Sequence, residues 1–166
     1  VAVTEDGLTI ANPGGLIEGV TVRNLLTAEP HGRNQLLADA LKRVGLAEKT
    51  GRGIDRIFEG SLIYGRGFPD YSNTTSAVVS LFIPRSKPDA QLTKMIAEEH
   101  NRLGRPLPIN TLLVLNMLKD SPRSDIKQLS EALNLSEAMI KAILDRAIET
   151  GLVEGYGAGR GRNYSL

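Results

Sequence analysis

Cysteine and tryptophan are absent from the 166 residues, and aromatic side chains make up only 4% of them. Without cysteine there can be no disulfide framework, zinc ribbon or thiol chemistry, and the composition fits a reducing compartment, so the cytoplasm is the expected location. Scarce aromatics leave the cores to Leu, Ile, Val and Ala and offer few platforms on which single-stranded bases could stack. No apolar run approaches the ~20 residues that span a bilayer, and the opening VAVTEDG has no basic stretch before an apolar block, so neither a membrane nor secretion is expected. A charge excess is lacking too. The 20 Lys and Arg against 19 Asp and Glu give a formal net charge of +1, so any nucleic-acid binding must rest on local features.

Familiar catalytic patterns are also missing. His31 and His100 have no acid or histidine at metal-ligand spacing, so no metal site is expected, and no serine sits in a G-x-S-x-G elbow. A Walker A pattern laid over Lys49 and Thr50 puts Arg43 and Glu48 where its glycines should be, so there is no P-loop and nothing to drive a helicase motor.

What is present falls into two patterns. Val1 to Val3 and Leu8 to Ala11 flank the turn Glu5-Asp6-Gly7 as a hairpin, which NPGG at Asn12 to Gly15 then interrupts. From Arg33 the period becomes helical, with Leu36, Leu37, Ala40, Leu41 and Val44 on one stripe and Gly45 as the stop. A second helix is expected to open at Thr50 to Gly53 and to bury Ile54, Ile57, Phe58 and Leu62, and Ser76 to Pro84 reads as a buried strand. Residues 87–106 read as a polar helical linker whose RPLP marks the domain boundary. Val1 in place of Met, inside a strand, reads as the start of a fragment of a longer protein.

From Leu107 three helical patterns follow in succession. The first carries Leu112, Leu113, Leu115, Met117 and Leu118 and ends at Ser121-Pro122. The second is capped by Ser124 or Asp125 and buries Ile126, Leu129 and Leu133, with Asn134 in the turn beyond it. Ser136 caps the third, where Ile140, Leu144 and Ala147 share a stripe and Glu137, Lys141, Asp145 and Glu149 face outward. Gly151 stops it, and LVEGY, GAGRG and RNYSL then read as strand, glycine-rich turn and strand. Three helices and a hairpin wing are the pattern of a winged helix-turn-helix, so the fold class is α+β, with a small mixed N-terminal domain at 1–86 and the winged helix at 107–166.

The stretch LSEALNLSEAMIKAILDRAIETGLVE resembles the winged-helix transcription regulators. That resemblance implies a third helix in the major groove and wing cations on phosphates, which here assigns DNA contacts to Lys141, Arg160 and Arg162. Residues 107–166 hold seven basic and seven acidic side chains, and Met139, Lys141 and Ala142 stand where relatives carry small polar or basic residues. A protein-contact or dimerisation scaffold, including a homo-oligomer, therefore stays open beside a regulator bound to duplex DNA.

The blocks IANPGGLIEGVTVRNLL and RNQLLADALKRVGLAEKTGRGIDRI resemble the C-terminal domain of RecG-like ATP-dependent DNA helicases. Members of that family usually carry an upstream Schlafen/AlbA-like domain and often a winged helix downstream, and many are described as transcriptional regulators. The family is related to the GHKL ATPases, whose G-x-G at a helix start holds nucleotide phosphates. The resemblance thus implies ATP with magnesium as the ligand and Gly51, Arg52 and Gly53 as its holders, the alternative being a simple turn between helices. Asn12 to Gly15 sits where GHKL enzymes place an acidic adenine-contacting loop, but the Asp is absent, and the helix with their metal-binding Asn and catalytic Glu would precede Val1. No catalytic residue is assigned, and ATP hydrolysis by this chain alone is not expected. Arg33-Asn34, repeated in the family, is expected to brace the NPGG loop.

Overall fold

A computed structural model describes residues 1–30, 32–46 and 51–166, with Arg160 described by its backbone alone. His31 and Thr50, singled out above, lie outside the described residues. The chain divides into two compact units, Val1–Gly60 with Gly67–Ser86, and Ser61–Arg66 with Lys87–Leu166.

In the first unit the expected hairpin forms from β1 (Ala2–Val3) and β2 (Gly7–Pro13), paired antiparallel with Val3 opposite Leu8. Helices α1 (Gln35–Arg43) and α2 (Arg52–Leu62) follow, and β3 (Val78–Pro84) returns antiparallel to β2 to give the order β1-β2-β3. A Cβ on Gly7 would stand 2.3 Å from the Ile83 carbonyl oxygen, so only glycine admits β3 so close to β2.

Burial falls short of expectation in β3 and on α2, and the stripe of α1 is largely open to solvent. The residues of β3 are half-buried apart from Leu81, because the strand has a full neighbour on one side only and meets a single bridge from Asp70 on the other. In α1 the predicted stripe forms, but Leu36 is 84% exposed and Leu37 and Val44 are exposed as well. On α2, Ile54, Ile57 and Phe58 are half-buried, and Leu62, at its end, is fully buried in the second unit.

The second unit contains α3 (Ala90–Leu103), α4 (Ile109–Asp120), β4 (Ser124–Asp125), α5 (Ile126–Leu133), α6 (Glu137–Glu149), β5 (Glu154–Tyr156) and β6 (Asn163–Ser165). Its core is aliphatic: Leu112, Leu113, Leu115, Leu118, Leu129, Ile140 and Leu144 are buried, each worth ~1.5–3 kcal/mol of removed apolar surface. The stretch expected to be a polar linker at 87–106 contains α3, which buries Leu92 and Ile96 in this unit. Its start is capped by the Asp89 carboxylate, which accepts from the Leu92 N–H at 2.8 Å, and Gly104 ends it in the left-handed region. Among the described residues no helix is long and apolar enough to cross a membrane.

Candidate nucleic-acid interface

Local chemistry sets the turn between α5 and α6. Asp125, rather than Ser124, caps α5: its carboxylate accepts from the Gln128 N–H at 2.8 Å while the Gln128 side chain accepts from the Asp125 N–H at 2.9 Å. Ser124 instead lies in β4, its hydroxyl donating to the Ser121 carbonyl at 2.7 Å. Asn134 turns the chain in the left-handed conformation at φ 52°, and the Ser130 hydroxyl donates to the Leu135 carbonyl at 2.6 Å to close the turn. Ser136 then caps α6 by accepting from the Met139 N–H.

With Ile140, Leu144 and Ala147 buried, α6 turns Glu137, Ala138, Lys141, Ala142, Asp145, Arg146 and Glu149 to solvent. Three acids against two bases give that face no net attraction for phosphates, so Lys141 is its forward cation, exposed and without an ion-pair partner among the described residues.

Beyond α6, β5 and β6 pair antiparallel with Gly155 opposite Tyr164, and β4 pairs with the other edge of β6, Ser124 opposite Tyr164. The order β4-β6-β5 ties the wing to the start of α5. Sequence reasoning missed β4, since a two-residue strand carries no period to detect. With it was missed Arg123, an exposed cation held at φ 66° just before that strand.

Arg162 is half-buried and fixed in place. Its guanidinium carbon lies 5.5 Å from the Tyr164 ring centroid, over the ring, and its Nε, buried against Gly155, has no hydrogen-bond acceptor. Arg160 lies in the 3-10 turn Gly159–Gly161, and its side chain is outside the described residues.

Residues 107–154 match the family model described as "Winged helix-turn-helix DNA-binding", and residues 1–82 match the one described as "Putative ATP-dependent DNA helicase recG C-terminal". The chain joins a RecG C-terminal-like domain to a winged helix. The DIP2311 protein of Corynebacterium diphtheriae shares the fold, with a TM-score of 0.69 over 95% of this chain at 20% identity. The chain spans 33% of that protein's length. No curated protein matches it.

In the RecG C-terminal-like domain the pair Arg33-Asn34 has two separate duties. The Arg33 guanidinium donates to the Gly15 carbonyl at 2.5 Å, bracing the NPGG loop, and the Asn34 side chain caps α1 by accepting from the Leu37 N–H at 2.9 Å. Gly51 turns at φ 70° against Pro30, and Arg52 and Gly53 begin α2 with open space beside Gly53. That start offers free N–H groups to a phosphate. Among the described residues no three His, Asp or Glu side chains gather as a metal site.

Proposed function

We propose that the chain is a DNA-binding regulator whose winged helix docks on duplex phosphates through the wing, with Arg160 and Arg162 on the backbone and Lys141 at the major groove. The observation that carries this reading is Arg162. A cation held over the Tyr164 ring on a winged hairpin is already ordered in the free protein, so it meets a phosphate oxygen at little further entropic cost. The acidic outer face of α6 makes the wing the main source of attraction and keeps affinity modest.

Fluorescence anisotropy of the full chain on a random-sequence duplex tests the reading. Binding at about 50 mM salt that weakens steeply as salt rises supports it. Absence of binding at that salt makes the winged helix a protein-contact scaffold instead.

A second reading, nucleotide binding at Gly51, Arg52 and Gly53, is favoured by the family match over residues 1–82 and by the open, glycine-flanked start of α2. Calorimetry with ATP, with and without magnesium, tests it. Arg52→Glu is expected to abolish a weak signal, and tight binding indifferent to that change places the pocket elsewhere.

A further inference from the structure

The winged-helix unit contains a cavity of about 330 Å³ that the DNA reading does not use. Its walls are Leu103 at the end of α3, Leu107 in the RPLP segment, Ile143 on α6 and Leu152 after it. Leu107 and Leu152 are buried, so the walls are largely apolar and fixed before any ligand arrives. At roughly 30 Å³ per water-sized group, the space holds a molecule on the order of ten non-hydrogen atoms.

Charge at the rim identifies the ligand's head. Arg105 and Arg146 line the cavity, and neither has an ion-pair partner among the described residues. Glu99, an acid in the same lining, attracts Arg146 electrostatically but accepts its hydrogen bonds from Arg102. Both of its oxygens are taken by Arg102, whose Nε donates to Oε2 at 2.6 Å and whose Nη2 donates to Oε1 at 2.5 Å. The rim therefore carries two guanidiniums against the single Glu99 carboxylate, which Arg102 already pairs, over a largely apolar chamber.

We propose that this cavity binds a small organic carboxylate, its aliphatic or aromatic body against Leu103, Leu107, Ile143 and Leu152 and its carboxylate on Arg146 and Arg105. A planar carboxylate accepts two parallel N–H bonds from a guanidinium, a match that a neutral amide of the same size cannot make. Binding here does not require DNA, so its failure leaves the DNA reading untouched, and the reverse also holds.

Phenylacetate and phenylacetamide are the probes, since they have equal numbers of heavy atoms and differ in charge. Each is titrated into the full chain by calorimetry and by amide chemical-shift mapping. Phenylacetate is expected to bind with Kd in the range of about 0.1–5 mM, shifting the amides of Leu103, Leu107, Ile143 and Leu152, with phenylacetamide about tenfold weaker. The exposed change Arg146→Gln is expected to erase that preference without altering the melting temperature, and Arg105→Gln is expected to reduce it. No shift at about 10 mM phenylacetate, shifts clustered elsewhere, or equal binding of the two probes overturns the proposal.

Discussion

A Cβ added at Gly155 would lie 2.5 Å from the Arg162 guanidinium, and a guanidinium is the far end of a flexible side chain, so Gly155→Ala displaces the arginine rather than the strand. The expected result is an unchanged melting temperature with duplex affinity about two- to tenfold weaker, because a freed arginine must be ordered again on binding at ~0.5–1.5 kcal/mol. Thermal melts and anisotropy on the same preparation check both halves of that statement. The arginine itself was legible, as a cation in a glycine-rich hairpin, but the glycine that positions it was not, since the cross-strand register that pairs Gly155 with Tyr164 has no trace in the local sequence. Asn116 shows the same limit. It is fully buried in the apolar run of α4, where its Nδ2 donates to the carbonyls of Leu62 at 3.0 Å and Leu112 at 2.9 Å. Nothing in INTLLVLNMLKD distinguishes it from a tolerated polar residue, because its distant partner is 54 positions away. Asn116→Ala removes one of two donors from the Leu62 carbonyl, which keeps the Gly65 N–H at 3.0 Å, and is expected to cost about 0.5–1.5 kcal/mol, read as a lower urea midpoint.

Elements were legible where their period and caps were local, and illegible where burial depended on another part of the chain. The helical period of α1 is real, yet burial needs a neighbour as well as a stripe, and Leu36 stands open to solvent. For α3 the error ran the other way: Gln, Lys, Glu, His, Asn and Arg dominate its composition, while Leu92, Ile96 and Leu103 keep a narrow stripe of spacing four and seven. Ile96→Ala in the full chain is expected to cost about 2–5 kcal/mol, the penalty for a truncated core side chain, where a solvated linker helix would lose almost nothing. The same helix adds a pH dependence. The hydrogen bonds from Arg102 hold the Glu99 carboxyl below its ordinary value, against the opposing effect of burial. A carboxyl lowered by folding stabilises the folded state above the unfolded pKa of ~4.3, and that contribution is lost as pH falls through the lower folded value. Glu99→Gln is therefore expected to be less stable than the parent at neutral pH, with the difference closing as the solution is acidified, a comparison that denaturant melts across a pH series would make.

At the scale of the whole molecule, the winged helix was readable because Asp125, Asn134, Ser136 and Gly151 punctuate it within a few residues of each boundary, whereas the match over residues 1–82 depends on blocks whose physical roles emerge only once Arg33 meets Gly15. Charge is the property that no single element determines. A net of +1 over the chain, and a balance of seven basic and seven acidic residues in 107–166, give no overall positive excess to hold DNA. Any duplex affinity must then come from a few contacts, and each phosphate contact releases counterions that give the log-affinity against log-salt plot a slope of roughly 0.9. If Arg160 and Arg162 are two of those contacts, Arg160→Ala with Arg162→Ala should reduce the slope by about 2 and weaken all duplexes alike, because phosphates are the same in every sequence. Lys141→Ala should act differently, shifting preference among sequences by roughly 1–3 kcal/mol at one base pair, since α6 turns that side chain toward any groove the helix enters. Anisotropy on a random duplex and on a selected site, each across a salt series, separates the two effects. An unchanged slope in the double arginine variant would mean that the wing does not touch the backbone, and the attraction would then have to come from cations such as Arg123 at the opposite edge of the small sheet.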